Sequence, residues 1–383
     1  MIIRRPLIFI VVCIPLLSWS QWIGAPDFDD RAQQGINAVY NLEFDRAEVE
    51  FSWLAKHYPA HPAGKFFLGM IEWWKILIAI DDESRDDLFV KKMDDVIALC
   101  DSLLEINPDD ITALFFKGGA LGFQGRLRAN RSSWIKAAND GRLALPIVQK
   151  AFALDPENSD ILLGMGIYNY YASTIPERYP LVKPLMVFFP SGDKRKGIHQ
   201  LEIASEKARY AGLEAQYFLL QLQYNYERQF DKALVIATSL YRRFPKNVLF
   251  HRYVGRSLFV LSRRAEAEVV FNDIIQRCEQ QQEGYSDFVE REARYYLGLL
   301  AMDRRQWDES LTQFYRCDAL SRRLDVKEQS GFMVLANLRI GMIYDVQKKR
   351  KFAIMQYQKV KAMRNFENAQ TMAQHYMKAP YGL

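Results

Sequence analysis

Four cysteines and five histidines in 383 residues are too few to build a covalent or metal-bound scaffold. Cys13 lies in a leading apolar stretch, so Cys100, Cys278 and Cys317 allow at most one bridge, and a disulfide framework is excluded. Each of the three sits in an apolar helical pattern and reads as a small buried hydrophobe. His57 and His61 are four apart in HYPAH, but Pro59 stands between them and no third ligand is near, so neither a metal nor another cofactor is expected. A Gly-rich phosphate loop, a Gly-x-Ser-x-Gly elbow and a zinc-protease helix are all missing. Asp109 and Asp110 follow Pro108 where a helix begins, a place that suits acids for dipole reasons rather than for catalysis. The chain is therefore not expected to be an enzyme. No apolar run reaches the roughly 20 residues of a spanning helix, which excludes a multi-span membrane protein. With 20 Gly, 14 Pro, 49% hydrophobic and 25% charged residues, collagen and wholesale disorder are excluded too.

The first twenty residues have the order of a secretory signal. Arg4 and Arg5 precede the uncharged stretch Pro6 to Leu17, and Ser18 and Ser20 are the small residues before a cut at Gln21. A retained anchor fits less well, because Pro15 interrupts an already short apolar run. Lipid attachment at Cys13 is disfavoured by Val11 and Val12, where small residues are needed. The expectation is export to the periplasm or cell envelope after cleavage near Ser20.

Beyond this segment, paired stretches of 3.6-residue apolar periodicity alternate with short polar turns such as ERQFD, LSRRAE, DRRQWD and QKKRK. They read as antiparallel helix pairs. Gly255, Ala267 and Phe271 recur as Gly341, Ala353 and Tyr357, and as Gly35, Ala47, Phe51 and Pro59. Weaker copies keep the register: Gln221, Ala233, Leu240 and Pro245; Gly298, Ser310 and Phe314; Ala144, Val148, Ala151 and Pro156. Small residues let paired helices approach, the aromatic fills the space beside them, and proline ends the unit. These residues resemble the tetratricopeptide repeat (TPR) family. The step from Gln221 to Gly255 is the family's 34 residues, and the next two glycine-to-glycine steps are 43 each. The resemblance implies an all-α, right-handed α-solenoid of about eight TPR-like helix pairs from Gly35 to Arg364, with a capping helix over Asn365–Lys378.

Two stretches depart from the pattern. Gly64–Asp81 is apolar nearly all round and is expected to be buried, with the first repeats packed tightly around Trp73 and Trp74; Lys65, Glu72 and Lys75 argue against membrane insertion. Residues 161–213 contain Pro176, Pro180, Pro184 and Pro190, which exclude one continuous helix. In this block Gly164, Gly166, Tyr168, Tyr170, Gly192, Asp193 and Gly197 resemble a narrower group, the bacterial envelope TPR proteins and the eukaryotic tetratricopeptide-domain-39-like proteins. Its segment Leu181 to Phe189 is too apolar to lie free in water, so it either folds back as a plug across the inner surface or docks on a membrane or partner. The expected divisions are 1–20 signal, 21–160 repeats with long helices, 161–213 atypical repeat with Pro-rich insertion, 214–365 regular repeats, and 366–383 cap and tail.

Charge is unevenly spread. Gln21 to Pro190 holds 17 Lys/Arg against 24 Asp/Glu, while Ser191 to Leu383 holds 32 against 22. In the basic half the cations recur in the turn within each pair: Arg228; Arg263 and Arg264; Arg304 and Arg305; Lys348, Lys349, Arg350 and Lys351. Stacked repeats align such turns into a basic ridge, suited to solvation, an acidic partner or an anionic membrane surface. Nucleic acid is not expected, since no binding motif accompanies the charge. In TPR proteins the first helix of each pair lines the concave groove, and the resemblance places Phe218, Leu222, Asn225, Tyr226, Arg252, Arg256, Phe259 and Tyr295 there. Arginines among aromatics suit a peptide or partner helix with an acidic feature. The carboxylate clamp of chaperone-binding relatives is not reproduced. The expected role is a non-enzymatic exported scaffold or adaptor that binds a protein or peptide; the alternative is a peripheral membrane or lipid-handling protein using the ridge and Leu181–Phe189. Neither the partner's identity nor the oligomeric state is legible.

Overall fold

A computed structural model describes residues 25–178 and 190–382. Among them every regular element is helical. Eight antiparallel pairs follow one another: α1 (Pro26–Tyr40) and α2 (Phe44–His57), α3 (Ala63–Ile78) and α4 (Asp86–Ile106), α5 (Ile111–Asn130) and α6 (Trp134–Leu154), α7 (Ile161–Arg178) and α8 (Lys194–Lys207). The second half continues with α9 (Gly212–Gln221) and α10 (Phe230–Arg243), α11 (Val248–Val260) and α12 (Arg264–Glu279), α13 (Asp287–Asp303) and α14 (Trp307–Leu324), α15 (Gly331–Val346) and α16 (Arg350–Ala362). Helix α17 (Ala369–Lys378) covers the last pair. The chain is an all-α, TPR-like solenoid.

The repeated residues make the pairing. A Cβ placed on Gly255 would come within 2.9 Å of the Phe271 ring, one on Gly298 within 2.7 Å of Phe314, and one on Gly341 within 2.5 Å of Tyr357. The bare glycine face is therefore the seat of the aromatic sixteen residues later, and Gly35 holds Phe51 in the same way. Ala47, Ala233, Ala267 and Ala353 are fully buried at the matching position of the second helix. Ser310 takes that place in α14 and satisfies its hydroxyl on the Gly298 carbonyl at 2.7 Å. The turn inside most pairs closes on one residue in the left-handed region: Leu42, Ser132, Arg228, Ser262, Arg305 or Lys348. The next amide then bonds back around the helix end, as from Arg263 to the Leu258 carbonyl at 2.9 Å, a Schellman-type stop built without glycine.

Three local details go beyond the repeat pattern. Pro176 lies inside α7, so the helix runs through the first of the four prolines. The capping helix begins at Ala369 rather than Asn365, because Glu367 and Asn368 take left-handed backbone and delay its first turn. A π-helical turn, Leu222–Tyr226, follows α9 where glutamine replaces the repeat's glycine. Helices α4, α5 and α6 are long, at 21, 20 and 21 residues. Trp73 and Trp74 of α3 are fully buried. Cys100, Cys278 and Cys317 are free thiols, the first and last buried and Cys278 half-buried; burial pushes each thiol up to about 12. Segment Leu181–Phe189 lies outside the described residues, as does the signal-like stretch.

The solenoid winds back on itself. Tyr40 at the end of α1 donates to Glu214 of α9 at 2.6 Å, and its ring packs on Trp74, Phe244 and Phe250. Asn247 caps α11 by accepting from Leu249 N at 3.0 Å, and its Nδ2 donates to the Tyr40 carbonyl at 2.8 Å. Asp29 meets Arg209 and Tyr210, Asn37 accepts from Arg243 at 2.9 Å, and Glu43 pairs with Lys246 at 2.8 Å. The first pair thus closes against the fifth and sixth, and the first half of the array becomes a ring.

Candidate binding surfaces

Inside the ring lies a partly open chamber of about 830 Å³. Its wall comes from α1, α3, α5, α6, α7 and α9, chiefly through aromatic rings and through the small residues of α5 and α6. The wall's charged groups answer one another. Arg126 donates to Glu214 at 3.0 Å and to Gln221 at 3.1 Å, and its guanidinium covers the rings of Phe218 at 4.2 Å and Trp73 at 5.0 Å. Asp160 accepts from the backbone amides of Arg209, Tyr210 and Ala211 at 3.1, 2.9 and 2.7 Å. Burial raises its pKa while those three amides oppose the rise. Outside the closed junction, Glu43, Arg46, Lys75, Lys246 and Glu283 border an open cleft of about 940 Å³ with charges of both signs.

A second site lies further along the inner face, where α11 and α13 meet. Glu292 of α13 is 1% exposed, and Arg252 reaches it with Nε at 3.1 Å and Nη2 at 2.6 Å; Arg256 closes on the same carboxylate. Burial alone would raise the Glu292 pKa, but the two guanidiniums overcome it and hold the carboxyl at about 2. Two cations on one anion leave one positive charge in surplus, and both arginine side chains remain 22% exposed. Aromatics frame them: Arg256 stands over Tyr253, whose hydroxyl accepts from Asn225 at 3.2 Å.

The structure separates the eight residues expected in one groove. Phe218, Asn225 and Tyr226 line the chamber. Arg252 and Arg256 converge on Glu292. Leu222 and Tyr295 are buried among neighbouring helices, and Phe259 is half-buried beneath the Arg264 guanidinium at 4.3 Å. Sequence reasoning missed Glu292, Arg126, Glu214 and Asp160. The available signal was an acid on the apolar stripe of a first helix, as Glu292 is among Val289, Ala293 and Tyr296, where a buried charge needs a partner.

The ridge residues do occupy successive turns, but acids interleave them. Arg263 pairs with Glu266 at 2.6 Å, Arg264 with Asp303 at 3.0 Å, Arg304 with Glu268 at 2.8 Å, and Arg350 with the buried Asp345 at 2.8 Å. Lys349 lies 5.9 Å over the Tyr344 ring. Exposed Arg228, Arg305, Lys348 and Lys351 have no ion-pair partner among the described residues. Among those residues no group of three or more His, Cys, Asp or Glu is placed to hold a metal, and no helix is long and apolar enough to cross a membrane.

No family model matches the chain. No curated protein matches it either. Among solved structures it is similar to a tetratricopeptide repeat protein from Parabacteroides merdae, 13% identical over 82% of this chain and 99% of that one, with a TM-score of 0.33. It is also similar to human IFIT1, as a dimer with PPP-AAAA, at 14% identity over 94% and 86% with a TM-score of 0.42. Yeast Tom70 is 12% identical over 92% and 95%, with a TM-score of 0.29.

Proposed function

We propose that this protein is a non-enzymatic scaffold, exported to the bacterial envelope, that holds a protein or peptide partner on its inner face. The observation that carries the reading is the Arg252–Glu292–Arg256 cluster. A buried carboxylate pre-organises two guanidiniums at fixed spacing, and their surplus charge with the tyrosines around them suits a chain bearing a carboxylate beside apolar side chains. The signal-like residues 1–20 support export.

Charge reversal at these arginines would set further carboxylates against buried Glu292 and unfold the site, so Arg252→Lys is the better probe. It keeps the charge and removes the two-point fork. Cross-linking and capture from native envelopes with full-length protein should lose its protein partners in Arg252→Lys while the melting temperature stays within a few degrees. An unchanged set of captured proteins overturns the reading. A second reading, attachment to anionic membrane, is supported by exposed Arg228, Arg305, Lys348 and Lys351, which have no ion-pair partner among the described residues. Membrane vesicles held equally by both forms, without protein partners, would favour it.

A further inference from the structure

We infer that the partly open chamber between the first five helix pairs is a binding site for one long aliphatic chain of the kind a fatty acyl group carries. This is independent of the scaffold reading, which concerns the α11–α13 face. At about 830 Å³ the chamber falls within the range of small-molecule sites; ring closure joins its walls, and it opens to solvent beside Gly122 and Trp134.

The wall's polar groups decide the chemistry of the occupant. Arg126 is held by Glu214 and Gln221, Tyr40 by Glu214, and Asp160 by three backbone amides. A phosphate chain would meet two carboxylates and no unpaired cation. A peptide would bring an N–H and a C=O with every residue, and a wall of rings and small side chains offers them too few partners. An aliphatic chain brings no such demand and displaces water from apolar surface.

Helix α5 adds a separate argument. Glycine weakens a helix interior, and it is normally excused there by a close neighbour. Gly118 and Gly125 have such neighbours, in Val148 and Asp140. A Cβ on Gly122 would meet nothing within 4 Å, yet Gly122 lines the chamber. Its effect is to leave room.

The experiment titrates the full-length protein with saturated fatty acids of 8, 10, 12 and 14 carbons below micelle-forming concentration, read by tryptophan fluorescence and native mass spectrometry. Affinity should rise about two- to fourfold per added methylene, with one chain per protein. Dodecanoate and its glycerol monoester should bind within about threefold of each other, since the chain and not the head is read. Gly122→Phe, which has room to fold, should weaken dodecanoate at least tenfold. A flat chain-length series, binding of the free acid alone, or unchanged affinity in a folded Gly122→Phe overturns the inference, and the chain-length series stands without any variant.

Discussion

His251 shows how one buried side chain sets a pH dependence. Its ring is 2% exposed, stacked on Tyr241 at 4.3 Å, with Nδ1 3.0 Å from the Tyr285 hydroxyl. Burial, aided by the Arg277 charge, drives its pKa down from 6.5 to about 3. Asp273 lies 3.4 Å from Nε2 and would favour the cation, but Arg277 holds the same carboxylate at 2.9 Å and cancels that pull. The unfolded histidine takes up a proton below pH 6.5 while the folded one stays neutral until about pH 3, so stability is full above 6.5 and falls across that window. Glu292, held at about 2, adds its own loss only below the ordinary carboxylate range near 4.5. Between pH 6.5 and 4.5, His251→Gln should therefore flatten the stability profile by about 1.4 kcal/mol per pH unit, measured by denaturant melts. The glycine-aromatic seats were legible because each joins two positions of one repeat. The Arg252–Glu292 contact was not, because it spans 40 residues and depends on how adjacent repeats register.

At the scale of an element, a helix pair has one face per neighbour, and the last pair needs something to cover it. Helix α17 does so. Ala369 and Ala373 are fully buried, and Arg350 donates to the Met377 carbonyl at 2.6 Å. The Tyr381 amide bonds Asp345 at 2.9 Å. Asp345 also accepts from Tyr357, the aromatic of that repeat, at 2.8 Å, so the cap reaches the repeat's own polar core. Deleting residues 366–383 should lower the melting temperature by several degrees and raise dye binding to exposed apolar surface, both read in one thermal scan. The existence of this cap was readable from an amphipathic tail, whereas its start was not, since left-handed Glu367 and Asn368 leave no mark in periodicity.

At the scale of the whole molecule, ring closure converts an array of nearest-neighbour contacts into one with contacts some 200 residues apart. Asn247 stands at that joint, fully buried, capping α11 and holding the Tyr40 carbonyl. Asn247→Ala removes a helix cap and leaves a buried carbonyl unpaired, a loss of about 2 to 3 kcal/mol. Small-angle scattering should then report a larger radius of gyration, with far-ultraviolet helicity nearly unchanged. The sequence alone determined the helices, their pairing and the place of the turns, because periodicity, small residues and breakers act within some 40 residues of chain. Tertiary structure alone decided that the first half closes, that a chamber lies inside it, and which arginines are already answered by acids. Curvature accumulates from small rotations at every interface, and no single residue pattern encodes their sum.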